Sequence, residues 1–175
     1  RGCPYKCHYC HISKELEGSL GGNTRKYRMK SINRIMKELN ILKNLGVKYV
    51  FIEDDSLLAK KERAKEIFKK VKEMGLQLAD VNGINLAHLC TKVDGKLGVD
   101  ESLMESMAAA GFKKLQYPVE SASQRILDKY ATGKLNLKKH DVIGLIKKAK
   151  QLGIEIVGNY TFGYPDETFV EMLKT

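Results

Sequence analysis

No apolar run in this chain approaches the roughly 20 residues that a helix needs to cross a bilayer, so a membrane partner is not expected. Cysteine is scarce, and three of the four cysteines fall within the first ten residues. That is too few and too bunched for the disulfide framework of a secreted domain, and it points to metal ligation in a reducing, cytoplasmic setting. A basic stripe interleaved with aromatics, as used to grip single-stranded nucleic acid, is also missing. The formal net charge is +10, but the lysines are spread along helical stretches such as "KKERAKEIFKKVKE", mixed with glutamates. Such mixing describes a solvated helix face, so nucleic acid is not the expected partner and a small-molecule substrate is. What the chain does have is 175 residues, 43% of them hydrophobic, which is enough for one domain with a real core.

One unit recurs four times along that length. Ser31 can cap a helix with Ile32, Ile35, Met36, Leu39, Leu42 and Leu45 on its apolar face, and Gly46 ends it before the strand-like "VKYVFIEDD". The second helix carries Ala64, Ile67, Phe68, Val71 and Met74, stops at Gly75 and leads into "LQLADVN". The third is capped by Asp100, stops at Gly111 and leads into "FKKLQYPVES"; the fourth stops at Gly153 and leads into "IEIVGNYTFG". Alternation of this kind predicts parallel strands covered by helices, an α/β sheet or barrel.

Ligands in such folds sit at the carboxyl ends of the strands. The first predicted strand delivers Glu53, Asp54 and Asp55 there, and the second delivers Asn82 and Asn85. The third delivers Glu120 and Ser121, and the fourth Asn159, Tyr160 and Gly163. Any one of these polar groups could be capping a helix, but apolar strands that end in polar groups every time suggest a rim built to hold a ligand.

The opening "RGCPYKCHYC" admits three cofactors. A structural zinc takes four ligands, usually as two Cys/His pairs about a dozen residues apart, and no second pair follows here; His8 or His11 would have to serve from a crowded loop. Covalent haem is conceivable through Cys7-His8-Tyr9-Cys10-His11, but attachment of that kind normally takes place outside the cytoplasm. An iron–sulfur cluster held by Cys3, Cys7 and Cys10 fits the spacing best, because three thiolates leave one iron of a cubane open to a substrate. Pro4 stiffens the start of the loop. Cys90, alone in "LAHLCTK", reads as a small buried hydrophobe.

The segment Cys3-Pro4-Tyr5-Lys6-Cys7-His8-Tyr9-Cys10 resembles the cluster loop of the radical S-adenosylmethionine (radical SAM) enzymes, with Tyr9 where they place an aromatic before the last cysteine. "FIEDDSLLA", "YPVESASQRIL" and "GNYTFGYPDET" resemble, in order, later strand-end motifs of the branch that carries an upstream cobalamin-binding domain. This resemblance implies a partial (βα)6 barrel whose second to fifth strands lie in residues 1–175. The first strand, the sixth strand and the cobalamin domain are expected outside this chain, which opens on Arg1 as a fragment of the catalytic core would.

By the same resemblance Cys3, Cys7 and Cys10 would ligate a 4Fe-4S cluster whose open iron chelates S-adenosylmethionine. Reductive cleavage would then give methionine and a 5′-deoxyadenosyl radical, with a flavodoxin or ferredoxin as electron donor. Tyr9 and Gly163 would lie against the adenine, with Asn159 nearby at the end of its strand. Glu120, Ser121 and Arg125 would face the ribose and the methionine carboxylate. Many family members carry Gly-Gly-Glu where this chain has Glu53-Asp54-Asp55; a carboxylate there can still bind the methionine amino group. Methyl transfer supported by cobalamin is the leading reaction. The alternatives are a methylthio-transferring RNA-modifying enzyme and a metal-stabilised binding module without turnover.

Overall fold

The computed structural model describes residues 2–14, 27–93, 96–131 and 133–175. Its frame is a four-stranded parallel sheet of β1 (Tyr49–Ile52), β2 (Gln77–Asp80), β5 (Phe112–Glu120) and β6 (Glu155–Tyr160), side by side in that order. Spatial order follows chain order, as in a barrel wall. The helices α2 (Ile32–Asn44), α3 (Lys61–Lys72), α4 (Glu101–Ala109) and α6 (Val142–Gln151) provide the cover. The partial barrel expected from the sequence is therefore what forms.

Capping residues set the helix starts. Ser31, Asp100 and Asp141 each accept a backbone N–H from the first turn of α2, α4 and α6. At the other end of α4, Gly111 is required on two counts. Its φ of +97° is left-handed, and a Cβ there would lie 2.1 Å from the Leu76 carbonyl oxygen. The chain leaves α4 pressed against the entry to β2, and only glycine fits.

One face of the sheet is the core. Leu78 of β2 and Phe112, Leu115 and Tyr117 of β5 are at most 3% exposed and pack against Phe68 of α3 and Leu103, Met104 and Met107 of α4. Phe68 meets Phe112 edge to face at 5.3 Å between centroids. The α2 helix is different: its apolar face contacts the core, yet none of its residues is fully buried. A cavity of about 790 Å³ lies between α2, α3 and β1, the strand at the edge of the sheet.

Six elements among the described residues have no counterpart in the fourfold unit read from the sequence. After β2 comes a 3-10 turn, Leu86–Leu89, and then an antiparallel pair, β3 (Cys90–Val93) with β4 (Lys96–Val99). A short helix, α5 (Gln124–Tyr130), follows β5, and α7 (Phe169–Lys174) ends the chain behind a capping box of Thr168 and Glu171. The remaining element, α1 (His11–Lys14), continues the cysteine loop.

Asp80 shows how a carboxylate enters the core side. It follows Leu78 by two residues and pairs with Ile52, so it occupies the row that faces the helices. The β2–β5 ladder breaks register at Leu78 and Ala79, and the Gln116 N–H beyond the break donates to Asp80 Oδ2. Gly83 N–H donates to the same oxygen, while Oδ1 is buried with no partner among the described residues. Burial pushes the Asp80 carboxyl up to about 6, against the two backbone donors that pull it down.

Candidate active site at the cysteine loop

Cys3, Cys7 and Cys10 lie on a loop fastened at four places to the carboxyl ends of the strands. At its start, Gly2 N–H donates to Asp55 Oδ2 at 2.6 Å, tying the loop to the end of β1. The Tyr5 hydroxyl lies 2.8 Å from His88 Nε2 on the 3-10 turn that follows β2. His8 N–H donates to the Tyr130 carbonyl at the end of α5 at 2.8 Å. The Tyr9 hydroxyl donates to the Glu120 carboxylate and takes a long contact of 3.5 Å from Lys134 Nζ.

Within the loop, Cys7 is buried and Cys3 and Cys10 are half-buried, and none of the four cysteines of the chain is in a disulfide. Burial pushes the Cys3 and Cys7 thiols up, and the Lys134 ammonium pulls both down. Among the described residues, no three Cys, His, Asp or Glu side chains converge on a point that one ion could occupy. The three thiols are near enough to feel one another's charge, and three soft sulfur donors on one short loop are the donor set of an iron–sulfur cluster, in which each thiolate would take a different iron. The residues present therefore fit an iron–sulfur cluster. Both His8 and His11 are exposed, outside this gathering.

Glu120 is the hinge of the site. It is the only non-glycine residue among those described with a positive φ, +68°, and it stands at the register break between β5 and β6. Left-handed backbone costs such a residue about 1–2 kcal/mol, and the contacts made there explain why it is held. Lys134 Nζ donates to Oε1 at 2.7 Å, Thr161 Oγ1 donates to Oε2 at 3.0 Å, and Tyr9 donates from the loop. Burial raises the Glu120 carboxyl, but Lys134 and the other donors outweigh it and hold the group below its ordinary range.

The remaining rim residues are divided. Glu53 and Asp54 are exposed at the end of β1, where the Glu53 carbonyl accepts the Asn82 side-chain amide at 2.9 Å. Asn159 is half-buried on β6 opposite Pro118. Gly163 has a φ of +81°, and a Cβ built there would meet nothing within 4 Å, so the backbone borders open space. Ser121 and Arg125 are engaged elsewhere. The Ser121 hydroxyl is fully buried against Thr175 Oγ1 at 3.2 Å. The Arg125 guanidinium binds both Glu171 oxygens and Asp166, fastening α5 to the segment after β6.

Two residues that the sequence reading passed over belong to the site, His88 and Lys134. Each is a lone polar residue in an unremarkable stretch, and each partner lies on another element. An aromatic group backs the loop as well: Tyr130 stacks on Tyr164 at 4.8 Å, and Tyr9 meets Tyr164 edge-on at 5.9 Å.

Comparison with known proteins agrees with this geometry. An uncharacterized methyltransferase of Pyrococcus horikoshii is 29% identical over 176 residues, covering 100% of this chain and 34% of its own length. The cytidylyl-2-hydroxyethylphosphonate methyltransferase of Streptomyces wedmorensis is 29% identical over 94% of this chain and 28% of its own length. The chain thus spans about a third of the length of these relatives. Among solved structures, the radical S-adenosylmethionine methyltransferase TsrM of Kitasatospora setae, with cobalamin and a [4Fe-4S] cluster bound, superposes with a TM-score of 0.73. That alignment covers 97% of this chain and 29% of TsrM at 18% identity, a likeness of fold. The model of the Radical SAM superfamily matches residues 1–175, and the chain belongs to that superfamily.

Proposed function

We propose that this chain is the catalytic core of a radical SAM methyltransferase that works with cobalamin carried by a segment outside residues 1–175. The observation that carries the reading is the three-thiol loop, anchored at the strand ends beside a polar rim. Two relatives named as methyltransferases and a cobalamin-bound neighbour support the choice of reaction.

Cys3, Cys7 and Cys10 would hold the cluster, which when bound supplies the electron that cleaves S-adenosylmethionine reductively. The protein supplies position and shelter. Asp55 and the exposed carboxylates of Glu53 and Asp54 offer acceptors for the methionine ammonium. Glu120, pinned by Lys134 and Thr161, presents a fixed anion beside the loop, where a ribose hydroxyl can donate to it. Gly163 and Asn159 border the space into which an adenine would fit, beside Tyr9. Ser121 and Arg125 would act from behind, by fixing α5 and the segment after β6 on either side of Glu120. An acidic flavodoxin or ferredoxin is the electron donor, and the methyl acceptor is a small molecule.

Anaerobic reconstitution with iron and sulfide, followed by electron paramagnetic resonance of the reduced protein, tests the proposal. The chain should take up about four irons, and its signal should shift when S-adenosylmethionine is added. A signal that the added cofactor leaves unmoved would refute the chelation. Cys7→Ala should abolish cluster uptake, and Cys90→Ala, which alters a buried thiol that donates to the Leu86 carbonyl, should leave it intact.

A further inference from the structure

We propose that His88 is a positioning residue for the cysteine loop, acting through the Tyr5 hydroxyl to fix the stretch between Cys3 and Cys7. This rests on the reading that the loop holds an iron–sulfur cluster. Three of the four fastenings, at Gly2, His8 and Tyr9, fall before Cys3 or after Cys7. The Tyr5–His88 hydrogen bond of 2.8 Å is the one that falls between the first two thiols. Their rings are 5.6 Å apart and tilted by 44°, so the contact includes packing as well as the polar pair.

The platform beneath His88 is stiff. The 3-10 turn is capped by Asn85, whose Oδ1 accepts the Ala87 N–H at 3.0 Å, and Leu86 and Leu89 on either side of His88 are at most 1% exposed. The other ring nitrogen, Nδ1, is buried with no partner among the described residues. Tyr5 is therefore what compensates the imidazole for leaving water, and a broken pair strands both ring nitrogens. Burial, assisted by the Lys61 ammonium, holds His88 down at about 4, so the ring is neutral near pH 7 and adds no charge beside the thiolates. A loop held only at its ends would let Cys3 and Cys7 swing independently, and iron would be lost whenever either thiolate opened.

The test compares the reconstituted parent with Tyr5→Phe, His88→Leu, His88→Gln and the double variant Tyr5→Phe/His88→Leu. Iron release to a chelator is followed under anaerobic conditions, with the melting temperature of each apo chain as a control for folding. Tyr5→Phe and His88→Leu should release iron about three- to ten-fold faster, the factor one hydrogen bond is worth. Glutamine can place an amide near Nε2, so His88→Gln should restore release to within about two-fold of the parent. The double variant should be no faster than the single ones, because the two side chains act as a pair. Single variants indistinguishable from a cluster-loaded parent, or a double variant whose acceleration is the product of the single ones, would overturn the inference alone. A parent that takes up no cluster would overturn the functional reading and this inference together. Tyr5→Phe removes a single oxygen and remains readable should the leucine variant fold poorly.

Discussion

Replacing Lys134 with methionine should turn the pH dependence of stability around. The substitution keeps the apolar stem and deletes the ammonium that faces Glu120 at 2.7 Å. The two side chains are 17% and 9% exposed, so water screens the pair poorly. Removing one partner of a buried ion pair costs about 3–5 kcal/mol. Tyr9 and Thr161 still donate to the carboxylate, which places the expected loss at pH 8 at about 2–3 kcal/mol. In the parent, the lowered Glu120 pKa contributes stability that is present above the unfolded value of 4.5 and lost as pH falls through the folded value. In the variant, burial acts with two neutral donors and no cation, and the carboxyl rises. The folded chain then takes up a proton before the unfolded one does, so the penalty shrinks as pH falls. Urea denaturation of the apo chain at pH 8, 6.5 and 5, followed by circular dichroism, measures this directly. The double variant with Glu120→Gln has no charge to strand and should recover most of the loss. A penalty below about 1 kcal/mol at pH 8, or one of equal size at pH 8 and pH 5, would refute the reasoning.

Asp80 supplies a second pH signal of the opposite sign. Its raised value of about 6, against 3.8 unfolded, means that the contribution of Asp80 is fully present below 3.8 and is lost as pH rises through 6. Asp80→Asn should flatten that stretch of the profile and stabilise the chain at pH 8 by up to about 3 kcal/mol, at about 1.4 kcal/mol per pKa unit; parallel profiles for parent and variant would contradict this. Gly111→Ala should cost about 3 kcal/mol or more, because the new Cβ would meet the Leu76 carbonyl at 2.1 Å. Gly153→Ala, left-handed but facing open space, should cost only about 1 kcal/mol, and equal losses in thermal unfolding would show that the close approach is not what matters.

The helix–strand alternation was legible because the units carry local punctuation: a capping side chain at the start of α2, α4 and α6, and a glycine at the end of all four helices. Those signals are local, and Ser31, Asp100, Gly46, Gly75, Gly111 and Gly153 all stand where they predict. The β3–β4 pair was not legible in the same way, although "LCTKVDGKLGVD" alternates in the manner of a hairpin: β3 follows the 3-10 turn directly, without the helix-ending glycine that precedes β1, β2, β5 and β6. The apolar face of α2 was expected to be buried and is only half so, because α2 lies over the edge strand with a cavity beneath it. The cysteine motif was readable as a site because its spacing is contained in eight residues. Lys134 and His88 were not, since neither has a pattern of its own and each matters through partners distant in the chain, Glu120 and Tyr9 for Lys134 and Tyr5 for His88.

The four fastenings of the cysteine loop carry a consequence for how the protein is made. Three of them join residues 53, 83 and 125 positions apart in the chain. Contacts that distant close late, after the intervening strands have found their neighbours. The loop reaches its final shape only when β1, the turn after β2, α5 and Glu120 are all in place. The barrel wall and the cysteine site are therefore completed together: a chain with one wall misassembled would present its three thiols on a loop that lacks one of its fastenings.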